Sequence, residues 1–215
     1  MKTALAKTKA AGSLILVLFA GLLVACGQQP SEPTEPETAA SPLRTRLLTG
    51  EQYSNTIAAV FGEDVANSVL PPIPPMDRTD GLLASGTAFV GVTSDQVSQI
   101  QQTGAAIAAR VVDAEHRDFL IPCSPESIAA ADTSCAGLFL GEAGRLLLRR
   151  PLEESRLAEL VQIADYAAEQ TEDFYDGLSL ALEAILISPD FVFIADRAEP
   201  DPDALGQERL DSYSV

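Results

Sequence analysis

The stretch TSDQVSQIQQTGAAIAARVV, Thr93 to Val112, decides the fold. Thr93 followed three residues later by Gln96 forms a capping box. The hydroxyl can accept from the Gln96 amide, and the Gln96 side chain can return the bond. Val97, Ile100, Gly104, Ile107 and Val111 then recur at alternating steps of three and four, the signature of one apolar helix face. The middle is alanine-rich and carries Gly104, so a neighbouring helix is expected to cross closely there.

Comparable stripes lie on both sides. Thr49-Gly50-Glu51-Gln52 repeats the capping box, Tyr53, Ile57, Val60 and Phe61 share a face, and Gly62 is placed to end that helix. PPIPP, Pro71 to Pro75, reads as a rigid connector. Ser134 opens a helix through Phe139, Ala143 and Leu147 that must stop before Pro151. Glu153 to Glu169 carries Leu157, Leu160, Val161, Ala164 and Ala168. Thr171 can cap the last long helix, with Phe174, Leu178, Leu182 and Ile185 on one face and Ser188-Pro189 at its end. No strand-like alternation of useful length occurs. FVFIA, Phe191 to Ala195, is the one ambiguous run. The expectation is an all-α, compact, bundle-like domain over 43–198, in sub-modules of about 43–75 and 82–198.

The N-terminus reads as a targeting segment. Lys2, Lys7 and Lys9 precede the apolar run SLILVLFAGLLVA, Ser13 to Ala25, which is short for a membrane span. Leu23-Val24-Ala25-Cys26 resembles a bacterial lipobox, which implies cleavage after residue 25 and lipidation of Cys26. Gly27 in place of Asp favours the outer membrane by resemblance to lipoprotein sorting. Residues 26–42 form a Pro/Glu-rich linker without apolar periodicity. All three lysines leave with the signal, so eleven arginines face 31 acids, a net of −20. Such a chain repels nucleic acid and anionic lipid surfaces. The expected partners are the membrane, through the anchor, and other envelope proteins.

Export places Cys123 and Cys135 in an oxidising compartment, where a disulfide is the expected state. Two free thiols, or a metal or redox role, are the alternatives. Covalent haem would need a C-x-x-C-H run, and the single histidine, His116, precedes both cysteines.

Few residues point to catalysis. Asp113 and His116 stand at i, i+3, a spacing used in carboxylate-bridged metal sites, but no second histidine exists. A partly exposed histidine near a helix end is the expectation, with no metal site. Glu153-Glu154 and Glu172-Asp173 suit the first turns of helices. The chain lacks G-x-S-x-G, a P-loop and G-x-G-x-x-G. Arg149-Arg150-Pro151 is a helix–helix corner, with an anion site as the alternative. One arginine is expected to be buried in a bidentate carboxylate pair, the other solvated.

Three segments carry a resemblance: RLLTGEQYSNTIAAVFG (Arg46 to Gly62), GRLLLRRPL (Gly144 to Leu152) and FYDGLSLALEAILISPDFVF (Phe174 to Phe193). Together they resemble a family of large exported bacterial proteins of unknown function. These are built of tandem helical modules and associated with planctomycete-type c-type cytochrome domains. The likeness spans Leu43 to Val215, although Leu148 stands where the family commonly has an aromatic. RLDSYSV, Arg209 to Val215, resembles the opening of a next module, so 199–215 reads as a truncated start. The resemblance transfers no catalytic residue or cofactor, and it implies a c-type cytochrome module as a possible partner.

Two functional expectations follow. The first is a lipid-anchored cell-envelope scaffold or binding module without catalysis, serving a redox or polymer-processing assembly. The second is the N-terminal part of a larger enzyme or carbohydrate-binding protein whose active modules lie elsewhere.

Overall fold

A computed structural model describes residues 43–75 and 91–214. The signal, Cys26 and the linker lie outside them. The order is β1 (Thr45–Leu47), α1 (Gly50–Phe61), α2 (Glu63–Asn67), α3 (Ser94–Val112), α4 (Arg117–Leu120), α5 (Thr133–Leu147) and α6 (Glu154–Thr171). Then come α7 (Phe174–Leu186), α8 (Pro189–Val192), β2 (Phe193–Ala195), β3 (Ala198–Pro200) and β4 (Glu208–Leu210). The fold is all-α, with two short antiparallel strand pairs added, β1 with β2 and β3 with β4. Part of the ambiguous FVFIA run is thus a strand, pairing Thr45 with Ala195 and Leu47 with Phe193. Three residues are too few to show an alternation.

α7 is the centre of the bundle. α3 and α6 pack on it, and α5 packs on α6. Leu178, Ala181, Leu182, Ile185 and Leu186 of α7 are all buried and form one broad apolar stripe along the helix. Each buried leucine contributes about 1.5–3 kcal/mol relative to exposure. The crossings depend on small residues. A Cβ on Gly104 would stand 3.1 Å from Ile187 Cγ2 and 3.4 Å from Leu186 Cβ, so α3 approaches the end of α7 closely at the expected glycine. Gly177 lies against the α6 backbone at Ala164 and Ala168.

The segments on either side of residues 76–90 share one core. Tyr53, Ile57, Phe61, Val65 and Ile73 pack in the same buried cluster as Ile107, Val111 and Phe191. The rings of Tyr53 and Phe191 lie 5.3 Å apart.

Both capping boxes are in place. Thr49 Oγ1 accepts from Gln52 N at 3.1 Å and Gln52 Oε1 accepts from Thr49 N at 3.0 Å. At Thr93 and Gln96 the matching bonds are 3.3 and 2.8 Å. Elsewhere the ends differ from the sequence reading. Asp132 caps α5, accepting from Cys135 N at 2.9 Å. Asp173, not Thr171, caps α7, accepting from Tyr175 N at 2.8 Å. Glu172 turns the chain there with a φ of 54°, and the Thr171 hydroxyl bonds back to the Ala167 carbonyl. Ser188 does not simply close α7. Its hydroxyl caps α8, with Pro189 in the first turn. Among the described residues, no helix is long and apolar enough to cross a membrane.

Candidate functional site

The corner after α5 is built around a glycine and a left-handed arginine. Leu152 folds back over Gly144, which leaves room for its side chain. Arg149 has a φ of 60°, a region that costs a non-glycine residue about 1–2 kcal/mol. What offsets this is its guanidinium. Nη2 donates to the carbonyls of Asp190, Phe191 and Phe193 at 3.4, 3.2 and 3.3 Å. These oxygens lie at the end of α8, where helical carbonyls lack intrahelical partners. Nη1 of the same group is buried without a partner among the described residues. Burial lowers the Arg149 pKa, and the charges of Arg150 and Arg46 lower it further.

Arg150 behaves differently. Its Nη1 lies 3.1 Å from Asp211 Oδ2, and its guanidinium sits over the Tyr213 ring at 5.6 Å. The expected division into one bidentate buried pair and one solvated arginine is therefore not what the corner shows. Both arginines are partly buried; one takes carbonyls and the other a single bond to a carboxylate. The reason is the tail. Residues 208–214 fold back through the β3–β4 pair and bring Asp211 to Arg150. Ser214 Oγ also accepts from Arg197 N at 2.9 Å.

These groups line a cleft of about 370 Å³. Four arginines, Arg149, Arg150, Arg156 and Arg197, line it, and among the described residues the acids in its wall are Glu153 and Asp190. Pro151, Leu152, Phe193, Ile194 and Tyr213 supply apolar surface. Three of these arginines are paired with acids, Arg150 with Asp211, Arg156 with Glu159 and Arg197 with Asp190, which leaves Arg149 without a carboxylate among the described residues.

His116 is the second constellation. It is buried, not partly exposed as expected, and it has partners. Nδ1 lies 2.7 Å from Asp113 Oδ1 and Nε2 lies 2.6 Å from Asp64 Oδ2. The bonds to Asp113 and then Asp64 raise the imidazole pKa and outweigh its desolvation. Asp64 is lowered, chiefly by the His116 bond. At Asp113 burial pushes upward, but His116 and the amides of Glu115 and His116 prevail, and its pKa falls. Possible ligand atoms of Asp113, Glu115 and His116 lie within 4.8 Å of one another. Both imidazole nitrogens are already engaged, and Arg110 bonds both Asp113 and Glu115, at 3.0 and 3.2 Å. The arrangement holds an imidazolium between two carboxylates.

Cys123 and Cys135 stand at disulfide distance, with sulfurs 2.05 Å and Cα atoms 5.6 Å apart. Two further hydrogen bonds hold the loop between them. Asp132 Oδ2 accepts from Glu126 N at 3.1 Å, and the Ile128 carbonyl accepts from Phe174 N at 2.7 Å, at the start of α7.

Residues 135–196 match a family described as PSD5: Protein of unknown function (DUF1595). The match runs from Cys135 in α5 past the end of β2, and GRLLLRRPL and FYDGLSLALEAILISPDFVF both fall inside it. No curated protein and no solved structure matches the chain. Over residues 135–196, which hold most of the cleft, the chain is similar to a family whose description assigns no function.

Proposed function

We propose that the chain is a lipid-anchored cell-envelope protein, held in the bacterial outer membrane through Cys26, whose helical domain is a non-catalytic scaffold or binding module. The observation that carries this reading is the allocation of the cysteines. Cys123 and Cys135 lie at disulfide distance, the arrangement an oxidising compartment favours. The remaining cysteine, Cys26, directly follows the apolar run and Leu23-Val24-Ala25. Acylation by two or three chains, at about 0.8 kcal/mol per buried methylene, makes a stable anchor. The net negative charge disfavours nucleic acid and anionic lipid surfaces, so the lipid anchor would hold the chain at the membrane, with other envelope proteins or a c-type cytochrome module as partners.

Expression of the full chain in a two-membrane bacterium, fed an alkyne-bearing palmitate, tests this. The label should enter the protein and be absent from Cys26→Ser, which should move from the outer-membrane to the periplasmic fraction. Equal membrane retention without label would overturn the anchor.

A further inference from the structure

We propose that the cleft at the α5–α6 corner binds a small ligand through an oxyanion head group, a carboxylate or a phosphate. The proposal names a ligand class for the binding-module reading and rests on that reading only for its setting. The cleft volume of about 370 Å³ falls in the range of small-ligand sites.

Charge is the first argument. Of the four arginines in its wall, Arg150, Arg156 and Arg197 each already meet a carboxylate, so among the described residues Arg149 is the cation there without one. The state of the arginines is the second. Arg149 Nη2 is held by three carbonyls, and among the described residues the side chain meets no carboxylate and its buried Nη1 has no partner. Carbonyl dipoles rather than a carboxylate face its charge, and burial and the nearby arginines lower its pKa.

The third argument is that two other arginines can be recruited at little cost. Arg156 and Arg197 have side chains 41% and 48% exposed. Their partners, Glu159 and Asp190, are each 62% exposed and are met at 2.9 and 3.5 Å through single bonds. Exposed pairs of this kind contribute about 0–1 kcal/mol, whereas a guanidinium fork on an oxyanion makes two charge-assisted bonds. Exchange of an exposed side-chain carboxylate for a ligand oxyanion is therefore favourable. Leu152, Phe193 and Ile194 offer apolar wall to the body of the ligand.

The test is calorimetric titration of the full chain in detergent with acetate, benzoate and inorganic phosphate at constant ionic strength. The expected result is saturable one-site binding of at least one probe. Arg156→Gln and Arg197→Gln should each weaken it about tenfold, the value of one hydrogen bond to a charged group. Both positions are exposed, so melting temperatures should stay at the parent value. Arg149→Lys, which keeps a charge without the fork, should also weaken binding. A preference for phosphate over acetate points to a phosphate-bearing ligand; benzoate over acetate points to a carboxylate on an apolar body. Absence of saturable binding for all three probes overturns the proposal, as does binding that the Arg156→Gln, Arg197→Gln double variant leaves unchanged. Cys26→Ser should bind like the parent, so a failed anchor and an empty cleft are separate outcomes.

Discussion

His116 Nε2 lies 2.6 Å from Asp64 Oδ2, a contact across 52 residues that ties α2 to the turn after α3. Asp113 holds the other ring nitrogen at 2.7 Å, so the imidazole bridges two segments as a cation.

The sign of its pH dependence follows. The folded pKa of His116 is raised, so its contribution is complete below the ordinary value of 6.5 and fades as pH rises through the raised value. Asp64 and Asp113 are lowered, so theirs is complete above 3.8 and fades as pH falls through the lowered values. The network should hold best between those limits. Melting temperature against pH should fall on the alkaline side, and His116→Gln should flatten that fall. An unchanged alkaline slope in the variant would rule the network out as its cause.

Two glycines should respond oppositely to alanine. A Cβ at Gly177 would meet the Ala164 carbonyl, with Ala168 N at 2.7 Å and Ala168 Cβ at 2.8 Å, and backbone cannot give way locally. Gly177→Ala should cost about 1–3 kcal/mol or more. At Gly141, within α5, the nearest atom is Leu157 Cδ2 of α6 at 3.6 Å, an ordinary contact. Gly141→Ala should stabilise by about 0.5–1 kcal/mol. Urea denaturation of the two variants decides it; destabilisation of both would mean the α5–α6 contact is tighter than it stands here.

At the corner, glycine should be tolerated better than alanine. Arg149→Ala and Arg149→Gly both remove the donor to three carbonyls, but only glycine is free of strain at a φ of 60°. Arg149→Gly should therefore be more stable than Arg149→Ala by about 1 kcal/mol. Equal stabilities would show that the left-handed turn relaxes once the guanidinium is gone.

Arg150→Ala should act on the tail. Asp211 would lose its cation and keep the Tyr213 amide bond at 3.2 Å, so the tail should be held less tightly. Hydrogen exchange should accelerate over residues 208–214 and leave α7 unchanged. Uniform acceleration through α7 would show that the tail and the bundle open together.

Reduction should loosen the 123–135 loop first. The chain-entropy estimate for a bridge closing a loop of this size is about 3 kcal/mol. Non-reducing peptide mapping should recover the Cys123–Cys135 pair, and the reduced protein should melt lower. Two freely alkylated thiols in protein taken from the envelope would refute the bridge.

What the sequence disclosed was local. Thr49 with Gln52 and Thr93 with Gln96 meet within one helical turn, so spacing alone predicts the bond. The Gly104 crossing was legible because small residues interrupt a regular apolar stripe. The partners of charged groups were not. Asp64 is far from His116 along the chain, and nothing in its neighbourhood marks it as a ligand of an imidazole. Asp211 lies in a segment that reads as the start of another module, so Arg150 had no visible carboxylate. The Asp173 cap was missed because Thr171 and Asp173 both have capping side chains, and only the left-handed Glu172 selects between them. The cleft combines Arg149, Arg156 and Arg197 from separate elements, an association set by packing.

The pairing of β1 with β2 has a mechanical consequence. Thr45 stands opposite Ala195, and Asp196 N donates to the Arg44 carbonyl at 2.9 Å, so the two strands leave the bundle at the same end. Tension between the segment before Arg44 and the segment after Asp196 would peel this pair open bond by bond rather than shear it. The helices between them would carry little of that load until the zipper had parted. Stretching the protein between handles at those two positions should release β1 at low force, with the core of α3, α6 and α7 yielding later as a separate, stiffer event.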